Sequence, residues 1–324
     1  GDAAFHFARA QLGMQQWPET ESVRIEEFVN ALDYQDPTPA EAEKVGVVIE
    51  QARDPFLQQR NLLRISLATA ARGRGDSVPL RLTLLLDNSG SMERPDRRAT
   101  VRRALARLFE QIRFSREPNL LAESVPASDA SKLVDRIAAL PSEGGTNLES
   151  AIDLAFRKAR ENRLDGAQNR VVLLTDGAAN LGEASPERLS AQIERIRAEG
   201  IAFDAAGIGA RGLDDETLEA LTRKGDGRYY LLDRPEDADE GFAARLAGSL
   251  RPAAGNVKVQ VEFDPDRVGA YRLLGFDKHR LAREDFRDDS VDAAEMAAAE
   301  AGVALYRFQP LPGGTGDVGA VSVR

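Results

Sequence analysis

The most distinct hydrophobic pattern in the chain is a short apolar run, residues 82–86, that stops at Asp87. A run of that length bounded by turn residues predicts a strand covered on both faces, as in the parallel sheet of an α/β domain. Residues 170–175, RVVLLT, repeat the pattern and again end in an acid, Asp176-Gly177. Between and after these runs the apolar positions change to helical spacing. Val101, Ala104, Leu105, Leu108 and Ile112 form one stripe, Leu148, Ala151, Ile152 and Ala155 a second, and Leu189, Ile193 and Ile196 a third. Ser185-Pro186-Glu187 opens that third helix with a cap, a proline at the first helical position and an early acid. A strand over 201–209, a helix over 214–222, a strand over 228–232 and a helix over 235–250, with Phe242, Leu246 and Leu250 inward, continue the alternation. Strands and helices alternating at these lengths predict an α/β fold, a doubly wound and mostly parallel sheet, over residues 80–250.

The flanks read differently. Residues 1–34 have helical spacing, with Phe5, Ala8 and Leu12 on one face before Trp17-Pro18, and Ile25, Phe28, Val29 and Leu32 on another. Asp36-Pro37-Thr38-Pro39 closes that region. Val45, Val47 and Ile49, then Leu63, Ile65 and Leu67, alternate as half-buried antiparallel strands do. Arg251-Pro252-Ala253-Ala254-Gly255 marks a boundary, after which Val257, Val259, Val261 and Phe263 alternate strictly. Tyr271, Leu273, Val303, Leu305 and Phe308 suggest further strands, and the acidic, Ala-rich residues 283–300 read as a loop with a helical turn. The expected division is a flanking region over 1–79, the parallel domain over 80–250 and a C-terminal β domain over 251–324. That last domain is antiparallel and could share a sheet with residues 45–69.

Composition narrows the chemistry. The 324 residues carry a formal charge of −10, with 42% apolar and 30% charged residues, as a soluble globular protein does. The acidity argues against nucleic acid as a partner, because phosphate binding relies on clustered Lys and Arg. No run approaches the roughly 18 apolar residues of a membrane helix, so no transmembrane segment is expected. The absence of cysteine removes disulfides, thiolate catalysis and sulfur-ligated zinc, and His6 and His279 are too few for a histidine-rich metal site. The opening GDAAFHF lacks an initiator Met and an apolar leader. The chain is therefore expected to be a processed or trimmed product from which an export signal or N-terminal lipid anchor has been lost.

Asp87, Ser89 and Ser91 make an oxygen-rich loop at the carboxyl end of the first strand, the edge at which open α/β sheets bind ligands. Gly144-Gly145-Thr146 precedes a helix and Thr175-Asp176-Gly177 follows the other strand. Each fragment alone is a common turn or cap. Together, in this order and at these boundaries, they resemble the metal-ion-dependent adhesion site of von Willebrand factor type A domains, a Rossmann-like family. SVRIEEFVNALDY, VKVQVEFDPDRVGAYRLLGF and LAREDF extend the likeness to bacterial, often lipid-anchored members with a C-terminal domain of unknown function.

The resemblance implies a metal set of Asp87, Ser89, Ser91, Thr146 and Asp176. The hydroxyls of Ser89, Ser91 and Thr146 would bind directly, and the two acids directly or through water, to Mg2+ or else Mn2+ or Ca2+. It also implies a protein partner that offers Asp or Glu to the ion, a periplasmic or cell-surface location, and a role as a binding module with no enzymatic activity. Two other readings differ in kind. LLLDNS resembles the nucleophile loop of phosphoaspartyl phosphatases, but the second acid of that motif is Ser89 here and no Lys completes the set. Alternatively the domain is the metal-binding subunit of an ATPase-driven assembly, whose motor would be another protein since the chain has no P-loop. One departure from the family stands out. Two strands are expected between the first and second helices, and the residues after Ile112 leave room for only one, near 120–124, so a strand is either missing from the chain or natively absent. The Arg74-Gly75-Asp76 tripeptide lies in a Gly-rich linker at the opposite end of the central strand and is read as chance.

Overall fold

Strand β4, Gln168–Thr175, shows how the parallel sheet is built. Val171 and Leu173 point to one face and Val172 and Leu174 to the other, and all four are fully buried. A strand that is apolar on both sides needs helices on both sides. The computed structural model that shows this describes residues 1–37, 39–40, 43, 45–69, 80–87, 89–113, 148–177, 186–238, 242, 246, 252–276, 294–297, 301–313 and 315–323. The chain divides into two compact units, Gly1–Val23 with Gly75–Leu250, and Arg24–Arg74 with Arg251–Arg324. The first 23 residues thus go with the parallel sheet, whereas the sequence reading groups them with the strands of 45–69.

In the first unit β3 (Leu80–Leu86), β4, β5 (Ile201–Ile208) and β6 (Tyr229–Leu232) lie parallel in the order β3-β4-β5-β6. The register sets Leu86 beside Leu174, Thr175 beside Gly207 and Ile208 beside Leu232, so the carboxyl ends form one edge. On one face pack α1 (Ala3–Gly13), α4 (Leu148–Glu161), α5 (Pro186–Arg197) and α6 (Asp215–Lys224). They bury Phe7, Ile152, Phe156, Ile193 and Leu218 against Val171, Leu173 and Phe203. On the other face α3 (Pro95–Arg113) contributes Ala104 and Leu105, joined by Met92, Phe242 and Leu246 against Val172, Leu174, Ala206 and Ile208. Arg170 and Asp204 pair bidentately across β4 and β5 at 2.8 Å, and Asp204 also accepts the Arg228 N–H at 2.8 Å. A buried charge pair is tolerated only when its remaining hydrogen-bonding capacity is met in this way.

Three local expectations change. In β3 Leu82 is buried while Leu84, Leu85 and Leu86 are only half-buried; among the described residues β4 is its only neighbour strand. The buried face of α1 is Ala3, Ala4, Phe7 and Ala8, and Leu12, assigned inward from spacing, is 51% exposed. Ile25 and Leu32 are also exposed, since α2 (Ile25–Asn30) is only six residues long. The short strand expected near 120–124 and the question of a missing strand after Ile112 lie outside the described residues, as does the Arg-Gly-Asp tripeptide.

The second unit is antiparallel. β1 (Val45–Arg53), β2 (Asn61–Thr69), β11 (Ala301–Pro310) and β9 (Val268–Leu273) form one sheet in the order β1-β2-β11-β9. β8 (Val259–Phe263) pairs with β12 (Gly319–Val323), and β7 (Pro252–Val257) with β10 (Ala294–Ala297). Residues 252–255 and 294–297, read as a linker and as part of a helical loop, are therefore strands, because each finds its ladder partner in the other. Leu63, Ile65, Val268 and Phe308 centre the core, with Phe263, Tyr306 and Val321 against them. The Asn30 amide clamps Val303, donating to its carbonyl at 3.0 Å and accepting its N–H at 2.8 Å. Arg64 grips Asp36 through two bonds of 2.7 Å, reaches Glu50 at 2.7 Å and lies 4.7 Å from the Tyr34 ring centre. That guanidinium holds the Asp36 carboxyl below the usual range. Asp54 is held low first by the Phe56 N–H and also by Arg307. No described helix is long and apolar enough to cross a membrane.

Candidate metal centre

The edge formed by the strand ends of the first unit carries four of the five residues singled out in the sequence. Asp87 follows β3 directly, and its N–H continues the ladder by donating to the Leu174 carbonyl at 2.9 Å. Its side chain is committed on both oxygens. Oδ1 accepts the Ser89 N–H at 2.9 Å, the short loop that turns the chain, and Oδ2 accepts the Thr175 hydroxyl at 2.6 Å. Ser89 and Ser91 set their hydroxyls 3.0 Å apart as the chain enters the single 3-10 turn Gly90–Glu93. Asp176 follows β4 and is 1% exposed. Thr146, the fifth residue, and the glycines before it lie outside the described residues.

Two residues that the sequence reading passed over hold this edge together. Thr175 is the joint between the strand ends, since its hydroxyl donates to Asp87 and accepts the Gly177 N–H at 2.9 Å. Arg97, 6% exposed in the first turn of α3, donates to the Asp176 carboxylate, to the Ser91 carbonyl at 3.2 Å and to the Arg211 carbonyl at 2.9 Å. The signal for Arg97 was available. It stands four residues before Val101 and seven before Ala104, on the apolar stripe of α3, where a charged side chain must have a buried partner. Arg98, Arg102, Arg103 and Arg107, off the stripe, are exposed, as a solvated face requires.

The turns are shaped by glycine. Gly177 has φ +56°, and a Cβ there would stand 2.9 Å from Leu213 Cδ1 and 3.2 Å from the Asp214 nitrogen. Chemically the edge offers two carboxylates and two neighbouring hydroxyls at the mouth of a rigid sheet. Among the described residues no three His, Asp or Glu side chains gather into a carboxylate-rich cluster. Any cation held here would depend on hydroxyl oxygens.

A parallel sheet wound on both faces, with an Asp-x-Ser-x-Ser loop at its carboxyl edge, defines the class. The chain belongs to the von Willebrand factor type A domain family, whose model matches residues 82–243. A second model, described as von Willebrand factor, matches residues 1–64, and the C-terminal domain of the uncharacterized protein YfbK matches residues 248–318. Among curated relatives, the uncharacterized protein YfbK of Escherichia coli (strain K12) is 27% identical over 299 residues, covering 87% of this chain and 52% of the relative. An uncharacterized protein of Synechocystis sp. is 25% identical over 212 residues, covering 63% of this chain and 49% of the relative. The chain thus spans about half the length of the curated relatives it matches. Among solved structures, von Willebrand factor type A from Catenulispora acidiphila has a TM-score of 0.52 at 16% identity, covering 86% of this chain and 69% of that one. At that identity the likeness is one of fold. Domains of this family often mediate adhesion or protein contact, with metal sites.

Proposed function

We infer that this chain is a divalent-cation-dependent protein-binding module, in which Asp87, Ser89, Ser91, Thr146 and Asp176 hold Mg2+ or Mn2+ and a partner protein contributes an Asp or Glu. The observation that carries the reading is the 3.0 Å between the Ser89 and Ser91 hydroxyl oxygens. Neighbouring ligand atoms about 2.1 Å from an octahedral ion are about 3.0 Å apart, so the two hydroxyls already have the spacing of one octahedral edge. Asp87 supports the same fit. Its bonds to Ser89 N–H and Thr175 fix the carboxylate beside those hydroxyls before any ligand arrives.

The bound cation would act as a Lewis acid toward an incoming carboxylate. The residues of the chain do the rest. Three of the five groups are neutral hydroxyls, which leave positive charge on the site for an anionic partner to meet. Asp87 is oriented by its loop and Asp176 by Arg97. Both acids are thereby occupied in holding the site, which is why binding, not general acid–base catalysis, is the role assigned to them.

The test is calorimetric titration of Mg2+ and Mn2+ into the full chain and into an Asp87→Ala/Ser89→Ala double variant. Saturable heats in the first and none in the second are the expected result. Undiminished binding in the double variant, or no binding by the wild type even with a carboxylate present, would overturn the reading.

A further inference from the structure

Arg97 brings a permanent positive charge into the middle of a site assigned to a cation, and the geometry points to a definite role for it. Resting on the metal reading above, we propose that Arg97 is a built-in counter-charge that weakens the site for a bare divalent ion and makes ion binding and carboxylate binding depend on each other. The guanidinium is fixed by three loops of the edge, through Ser91 after β3, Asp176 after β4 and Arg211 after β5. Gly209, at φ +76°, lies against it, at a distance where a Cβ would stand 3.4 Å from the Arg97 Nε. A side chain held through so many contacts and 6% exposed does not swing away easily.

Charge then decides the behaviour. Of the described groups in the centre, Asp87 and Asp176 contribute two negative charges and Arg97 one positive, leaving −1. Arg94 and Asp96, close by and about half-exposed, cancel one another through a 2.8 Å pair. A divalent ion therefore turns the centre to +1, not to neutrality. An anionic carboxylate is attracted to that surplus, and the attraction is strong because water is partly excluded at the edge. By linkage, whatever factor the ion adds to carboxylate affinity, the carboxylate adds to ion affinity. Arg97 has a second effect in the ion-free protein. It pairs with the buried Asp176 carboxylate, so the edge keeps its shape while waiting.

The experiment titrates Mn2+ into the full-length wild type, Arg97→Gln and Arg97→Lys, each in sodium chloride and in sodium acetate at equal ionic strength. In the wild type acetate is expected to tighten Mn2+ binding several-fold. Arg97→Gln is expected to bind Mn2+ in chloride about tenfold more tightly, within the usual range of coupling between charged sites, and to lose most of the acetate effect. Its melting temperature without ion falls, and Mn2+ raises it by more than it raises the wild type. Arg97→Lys keeps the charge but a single ammonium does not reach Asp176 and Arg211 together, so its ion-free melting temperature falls while the acetate effect survives. A folded Arg97→Gln protein with unchanged or weaker Mn2+ affinity, or with the full acetate effect, overturns the counter-charge while leaving the metal reading intact. If Arg97→Gln does not fold, loss of the acetate effect in folded Arg97→Lys overturns it instead. Loss of Mn2+ binding in the wild type itself removes both.

Discussion

Thr175 spans the two strand ends with a single hydroxyl, donating to Asp87 and accepting from Gly177. Thr175→Val keeps the shape and removes both bonds in a place where water cannot replace them, so a loss of about 1–3 kcal/mol is expected in a urea melt. Thr175→Ser should recover most of it, and Mn2+ affinity should follow the same order. Gly177 and Gly212 separate two kinds of strain. Both have positive φ, +56° and +77°, but a Cβ meets Leu213 at Gly177 and open space at Gly212. Gly212→Ala should cost about 1 kcal/mol, the backbone term alone. Gly177→Ala should cost more, and equal melting temperatures for the two variants would show that Leu213 yields without penalty.

At the scale of the element, α4 shows what periodicity can carry. Ile152, Ala155 and Phe156 are buried on one side and Leu154 is 51% exposed on the other. Phe156→Ala is expected to destabilise the first unit by about 3–5 kcal/mol, and Leu154→Ala by no more than about 0.5, in denaturant titrations of the two proteins. The same logic explains what could be read in the sequence. β4 was legible because its apolar run has only one comfortable environment, and Asp87 and Asp176 were legible because each stands where such a run stops. Arg97 was legible only in part: its place on the apolar stripe of α3 asks for a buried partner, but only the fold brings Asp176 to it from a different strand. The strands of residues 252–257 and 294–297 were missed for a related reason. Proline, glycine and alanine have weak strand preference, and only pairing across the chain makes them a ladder. Leu12 was misplaced because spacing fixes which residues share a face, not which face is covered.

For the molecule as a whole, pH acts on the antiparallel unit through two carboxyls. Asp36 is held low by Arg64, and Asp54 by the Phe56 N–H and by Arg307. Both carboxyls therefore add stability that is complete above the ordinary carboxylate range and is lost as pH falls below about 4 toward their depressed folded values. Urea midpoints should be flat from neutrality to about pH 5 and fall below about 4. Asp36→Asn should lower the neutral midpoint and shallow the acid limb. An unchanged acid limb in that variant would assign the loss elsewhere.

The ladder between β2 and β11 bears on how the chain is made. Ala301 sits beside Ala68 and Phe308 beside Asn61, so a strand finished early on the ribosome waits for its neighbour until all of the parallel sheet has been translated. Until then the β1–β2 hairpin has Leu63 and Ile65 with no core to enter and one long edge of unmade hydrogen bonds. A nascent or prematurely terminated chain thus carries an unpaired strand edge, the kind of surface on which chains aggregate.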